Sequence, residues 1–219
     1  GANTMLKLLK KELKLNVPLP LYLFTLLAAM ILIPNYPAIV GVGYTVMQVF
    51  VYLQFCAANK SLQFTSVLPV KRKDIVTSTT LVVVFFQMLN VVLSLILLVP
   101  YRFVYPQGTI VGIDGNLTFI AICLLCFAAF DAAFLPGYFK TGYKYGFPLL
   151  WGLVSFVLTY LVSETLIQAI PAVNKVLDGL NPEYIWVRAV TLVVAAAIYV
   201  FAVVLANNAA AKRFEKVNL

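Results

Sequence analysis

Two carboxylates, Asp131 and Glu164, fall inside long apolar runs of this chain. An acid in hydrocarbon is costly, so by default it faces a cavity, a transport pathway or a partner charge. Depth separates these readings. Asp131 sits a few turns before Lys140, toward one end of its run, where it either lines a pathway or is an interfacial acid near Pro136 and Gly137. Glu164 sits near the opposite end of its own run, within reach of Lys175 or Arg188, and local pairing is preferred to a proton relay. Other reactive groups are sparse. The chain has no histidine, which excludes imidazole metal sites and His-based acid–base catalysis. Cys56, Cys123 and Cys126 all lie in apolar runs, and Cys123 and Cys126, three apart, read as small packing residues rather than a disulfide framework. No Ser/Lys/Asp cluster or paired carboxylates can be placed on one helix face, so neither catalytic nor metal-binding residues are assigned.

The elements that must position these groups follow from solvent. Only 11% of the residues are charged and 63% are hydrophobic, with a mean hydropathy of +0.97. A soluble domain keeps roughly a quarter of its residues charged, so the solvent here is lipid. A bilayer core needs about 20 apolar helical residues. Six runs meet or approach that length: 18–34, 38–58, 75–100, 117–138, 147–170 and 185–207. The expected fold is an all-α membrane protein with a six-span domain over 18–210. Residues 1–4 read as a tag remnant, 5–17 as an amphipathic interface helix, and 211–219 as a cytoplasmic tail. Pro18, Pro20 and Pro34 bound the first run, and "PNYP" (34–37) reads as a tight outer turn.

Charge orients the bundle. Lys7, Lys10, Lys11, Lys14, Lys60, Lys71, Arg72, Lys73, Lys140, Lys144, Lys212, Arg213 and Lys216 fall on one side of the six-span arrangement; Arg102, Lys175 and Arg188 fall on the other. Basic residues in short loops stay cytoplasmic, so both termini are expected in the cytoplasm and the span number is even. "MLKLLKKELKL" (5–15) alternates leucines with lysines at helical spacing, as an interface helix with its basic face on lipid headgroups would; a solvated basic flank is the alternative. Outside, Tyr101, Phe103 and Tyr105 read as an aromatic belt, with part of an exit surface as the alternative. Asn59-Lys60-Ser61 and Asn116-Leu117-Thr118 match the glycosylation pattern and are taken as chance matches.

Charge is densest in "SLQFTSVLPVKRKDIVTS" (61–78), between the second and third runs. Asp74 is the expected N-cap of the third span, and Pro69 is expected to end any helix running through 59–67. Leu62, Phe64, Val67 and Leu68 are too apolar for a loop that meets only water. A topology signal needs the lysines but not these apolar neighbours; a cytoplasmic protein partner explains both.

"NKSLQFTSVLPVKRKDIVTS" (59–78) resembles the segment between the second and third spans of ABC-2-type transporter permeases. The small bacterial branch, including the membrane subunits of phenol-soluble-modulin exporters, carries an N-K-[ST] element and then "LPVKRKDIV" at this place. The resemblance extends over the whole chain, but its specific part is 59–78. It implies a subunit of an ATP-driven exporter in the bacterial cell membrane, with a coupling helix docked into a separate ABC ATPase subunit and a second permease copy or homologue completing a homo- or heterodimer. Carried over here, Asn59, Lys60, Ser61, Leu62, Phe64, Leu68, Pro69, Lys71, Arg72 and Asp74 become coupling residues. Lys140, Thr141 and Lys144 become a second cytoplasmic contact, and Asp131 and Glu164 possible pathway residues. It also implies short re-entrant helices within 168–184. The chain has no GxxxxGK[ST] loop, so ATP and Mg²⁺ belong to the partner ATPase and no cofactor is expected in this chain. Nothing points to nucleic acid. The cargo that the resemblance favours is an amphipathic peptide, such as a toxin or antimicrobial peptide. The alternative is a self-contained secondary transporter or channel, which predicts midplane ionisable residues and internal repeats; no repeat relates the two halves.

Overall fold

The computed structural model describes residues 2–67, 69–142 and 144–217, and among these no strand occurs. The helices are α1 (Ala2–Leu15), α2 (Leu19–Leu23), α3 (Ala38–Ala58), α4 (Ser61–Val67), α5 (Arg72–Val104), α6 (Leu117–Thr141), α7 (Gly146–Ala169), α8 (Pro171–Leu177) and α9 (Ile185–Phe214). Two 3₁₀ segments, Phe24–Leu32 and Pro182–Tyr184, continue α2 and precede α9. Five of the helices, α3, α5, α6, α7 and α9, are long and apolar enough to cross a membrane.

The first span departs from the expected regular helix. α1 is followed, after a bend of 89°, by α2 and its 3₁₀ continuation, Leu19–Leu32. Fourteen α-helical residues rise only about 21 Å, but a 3₁₀ helix rises about 2.0 Å per residue and brings this segment to roughly 25 Å. The tighter winding thus lengthens the short stretch between prolines, and together with α1 this bent pair makes a sixth candidate span. It also lies close against α3: a Cβ at Gly41 would sit 2.5 Å from the Leu27 carbonyl oxygen, so only glycine fits.

α6 is the axis of the bundle, with 72% of its most apolar window buried, against 22% for α7 and 17% for α9. Small residues allow this. Ala121, Cys123, Cys126 and Ala128 on α6 and Ala195, Ala206, Ala210 and Ala211 on α9 are buried, so backbones approach and dispersion contacts accumulate where lipid offers no hydrophobic driving force. Both cysteines act as the packing residues expected. Much of α7 and α9 presents apolar side chains outward.

Two ends result. The basic end carries α1, α4, the connection after Thr141 and the end of α9. The far end carries the connections 33–37, 105–116 and 170–184. α5 and α9, 33 and 30 residues long, exceed a bilayer core of about 30 Å by several turns. Pro100 lies inside α5 rather than ending it, so the third span outruns the expected 75–100 at both ends.

Candidate functional site

The basic end is held together by a carboxylate whose role the sequence concealed. Leu8, Glu12 and Asn16 recur every four residues and form the buried stripe of α1, with Glu12 4% and Asn16 0% exposed. The face of α1 expected to meet solvent or headgroups therefore includes one edge turned into the protein. Glu12 Oε1 pairs with Lys11 Nζ at 2.7 Å and accepts from Ser61 Oγ at 3.2 Å. Its Oε2 accepts from Asn16 Nδ2 at 2.6 Å and Tyr52 OH at 3.0 Å, with Cys56 Sγ at 3.8 Å. Lys11 Nζ also donates to Ser61 Oγ at 2.9 Å and to Thr65 Oγ1 at 2.5 Å. Asn59 Nδ2 reaches back to Leu15 O at 2.9 Å and Asn16 Oδ1 at 3.0 Å. A buried carboxylate is tolerated only when paired and hydrogen-bonded, and Glu12 has both, from α1, α3 and α4. α1 and α4 are thereby clasped to the end of α3.

α4 itself is set by a left-handed residue and a proline. Lys60, at φ +48°, turns the chain from α3 into α4, a conformation that non-glycine residues adopt at a cost. α4 ends at Val67 and Pro69 follows, as Pro69 was expected to enforce. Leu68 lies outside the described residues. The ten coupling residues then divide. Ser61 and Leu62 are buried, 6% and 8% exposed, and Ser61 belongs to the Glu12 cluster. Asn59 is exposed, yet its side chain is bonded to α1. Arg72 is also committed within the chain: Nη1 donates to the carbonyls of Phe214, Glu215 and Val217 at 3.0, 2.9 and 2.8 Å, and its guanidinium lies 5.7 Å from the centre of the Phe214 ring. It caps the carbonyl end of α9, where the helix dipole favours a cation. Lys60, Phe64, Pro69 and Lys71 are exposed, and Asp74 is half-buried.

Asp74 is not the cap that was expected. α5 begins at Arg72 with Lys71 in the capping position and no side-chain bond there, and Asp74 sits inside the first turn. Its charge still complements the helix N-terminus. The second contact, Lys140, Thr141 and Lys144, lies at the same end: Thr141 Oγ1 donates to Lys144 O at 2.8 Å across a turn in which Gly142 has φ +75°. Phe139 meets Phe214, ring centres 5.4 Å apart, which connects this turn to Arg72 through the end of α9.

Deeper in the bundle, Asp131 is 0% exposed. It turns into the chain's own interior, where Oδ1 accepts from Gln87 Nε2 at 2.9 Å, Gln87 Oε1 accepts from Tyr199 OH at 2.5 Å, and Oδ2 has no partner. α5, α6 and α9 are thus joined by one polar chain. Glu164 does not pair with Lys175 or Arg188; among the described residues neither lies within 4.0 Å of it, and it stands with the Tyr160 hydroxyl against Gly112.

At the far end, Asn116 caps α6, accepting from the amides of Thr118 and Phe119, and its Nδ2 donates to the carbonyls of Leu177, Asp178 and Gly179. This role accounts for the glycosylation-like triplet. Tyr101 is buried and donates to Asp114 Oδ1 at 3.1 Å, so it is a structural hydroxyl rather than a belt residue, whereas Phe103 is 84% exposed as a belt residue should be. Burial pushes the Asp114 carboxyl up; the Thr109 amide opposes this and the nearby Asp178 reinforces it. Pro171 opens α8 and Pro182 opens the second 3₁₀ segment, the two prolines that bracket the expected re-entrant region.

A family model described as ABC-2 family transporter protein matches residues 7–211, from within α1 to the last turn of α9. No curated protein and no solved structure matches the chain.

Proposed function

The chain belongs to the ABC-2 family of transporter proteins, and from that premise we propose that it is the membrane-spanning subunit of an ATP-driven exporter whose ATP and Mg²⁺ are bound by a separate ABC ATPase. It is a multi-pass membrane protein and an ABC transporter permease. Both termini and α4 face the cytoplasm in this reading, because the basic end gathers most of the lysine and arginine. α4 is the coupling helix. Its inward face, Ser61, Leu62 and Thr65, is committed to α1 and α3, and its outward face leaves Phe64 59% and Val67 85% exposed beside Lys60 and Lys71.

That division is the observation that carries the reading. An apolar–basic ridge on a short helix clasped to two other elements is what an external motor needs in order to move the bundle. Clasping α4 to α1 and α3 through Glu12, and α5 to α9 through Arg72, makes a displacement of the ridge a displacement of four helices. Lys140, Thr141 and Lys144 supply the minor contact at the same end. A second permease copy or a diverged homologue covers apolar surface of the kind that α7 and α9 leave bare. The cargo proposed is an amphipathic peptide, on the resemblance of 59–78 to toxin-peptide exporters.

The test is co-purification of the ATPase subunit with Phe64→Ala/Lys71→Ala, two exposed positions outside the Glu12 cluster. Loss of the ATPase with unchanged membrane insertion and melting supports the assignment. Retention at the wild-type ratio removes α4 as the coupling helix.

A further inference from the structure

At the far end, the last turns of α5, the start of α6 and the start of α9 enclose a cavity of about 500 Å³. Its walls are chemically divided. Leu98, Val99, Phe103 and Ile185 form an apolar side, with Val99, Phe103 and Ile185 64%, 84% and 47% exposed. The other side carries two guanidinium groups, Arg102 and Arg188. Arg188 is 3% exposed. Its Nε donates to Val176 O at 2.9 Å and its Nη1 to Asn181 O at 3.1 Å, but Nη2 has no partner. Arg102 is exposed and makes a single bond, Nη2 to Leu180 O at 3.2 Å. Among the described residues the one salt bridge is Lys11–Glu12, so no carboxylate is in direct contact with either arginine, while Asp114 and Asp178 stand near enough to Arg188 to offset part of its charge.

A buried guanidinium with an unused donor, beside a second cation and with no carboxylate in contact, leaves a donor position that an anion can fill. The beginnings of α6 and α9 on the same wall add the positive ends of two long helix dipoles. We infer that this cavity is a binding site for the phosphate of an anionic lipid, held by Arg188 and Arg102, with an acyl chain along Leu98, Val99 and Phe103. Arginine's planar fork suits phosphate oxygens, and long apolar surface next to it suits a ligand that carries its own hydrocarbon. The inference depends only on the chain lying in a membrane, not on its proposed coupling to an ATPase.

The chain carries its own reporter. Its two tryptophans are Trp151, in α7, and Trp186, which is 80% exposed and adjoins Ile185 at the cavity wall. Trp151→Phe leaves Trp186 alone. Reconstituted in phosphatidylcholine vesicles doped with equal mole fractions of brominated phosphatidylglycerol or brominated phosphatidylcholine, Trp186 is expected to report a preference for the anionic lipid of roughly 25-fold. Each arginine contributes roughly fivefold to that preference. Arg188→Gln removes most of it. Because Arg188 also holds two loop carbonyls, Arg102→Gln is the deciding variant, with an expected loss of roughly fivefold and unchanged melting. Equal quenching by the two lipids overturns the site, as does a preference that Arg102→Gln leaves undiminished. Displacement of the brominated phosphatidylglycerol by millimolar inorganic phosphate shows a free-anion site instead and overturns the lipid assignment.

Discussion

Glu12 and Asp131 are enclosed to nearly the same degree, 4% and 0% exposed, yet they are held in opposite ways. Glu12 meets a lysine ammonium, an amide, two hydroxyls and a thiol drawn from three helices. Asp131 meets one amide and leaves an oxygen unpartnered. The first arrangement defines the position of two short helices at the surface, and the second threads one polar chain through a bundle that packing already fixes. Burial alone therefore does not identify a carboxylate's task; the number and origin of its partners does.

The largest effect expected follows from the saturated site. Glu12→Gln leaves Lys11 without its counter-charge and turns an acceptor into a donor facing Asn16 and Tyr52, at a cost of about 3 kcal/mol. Thermal unfolding in detergent, with limited proteolysis after Leu15, should show α1 released before the bundle melts. Arg72→Gln removes the cap that joins α5 to the tail of α9 and should cost about 2 kcal/mol by the same measurement. Asp131→Asn keeps an acceptor for Gln87 and adds no unmet charge, so it should change stability by less than about 1 kcal/mol. A change at Asp131 as large as that at Glu12 would break the contrast. Double-mutant cycles sharpen it: coupling between Lys11 and Glu12 should exceed that between Gln87 and Asp131 by more than about 1 kcal/mol.

The smallest effect lies at the far end, where Asp114 is pushed above the usual carboxylate range of about 4. A folded-state value above the unfolded one means that the folded protein holds the proton more tightly. The group's contribution to stability is complete below its unfolded value and is lost as pH rises through its folded one. Relative to Asp114→Asn, the native chain should therefore gain melting temperature as pH is lowered from 7 toward 4, and a parallel pair of pH curves would contradict this.

The sequence exposed most of the fold because lipid makes a simple demand: twenty apolar residues must wind into a helix, and α3, α5, α6, α7 and α9 do. It did not expose the 3₁₀ winding of Phe24–Leu32, since apolar content is the same for either ladder and only the short distance between Pro20 and Pro34 hinted at a steeper rise. Pro69 correctly marked the end of α4. The 59–78 segment was legible as a region but not as two faces, because the partners of Ser61 and Arg72 lie far along the chain, at Glu12 and at Phe214. Glu12 was overlooked among four lysines. The signal that could have found it was the four-residue spacing of Leu8, Glu12 and Asn16, a stripe that a helix lying free on headgroups does not need. Asp131 was judged by its distance from Lys140, which measures depth along α6 but not the direction the side chain takes.

The central claim is that α4 is clasped on its inner face and docks a motor with its outer one. A photo-crosslinking amino acid at position 64, activated in native membranes, tests it most directly. The account predicts an adduct with the mass of this chain plus the ATPase subunit, retained in a background that is active in transport. Adducts confined to lipid, or to this chain itself, would contradict it.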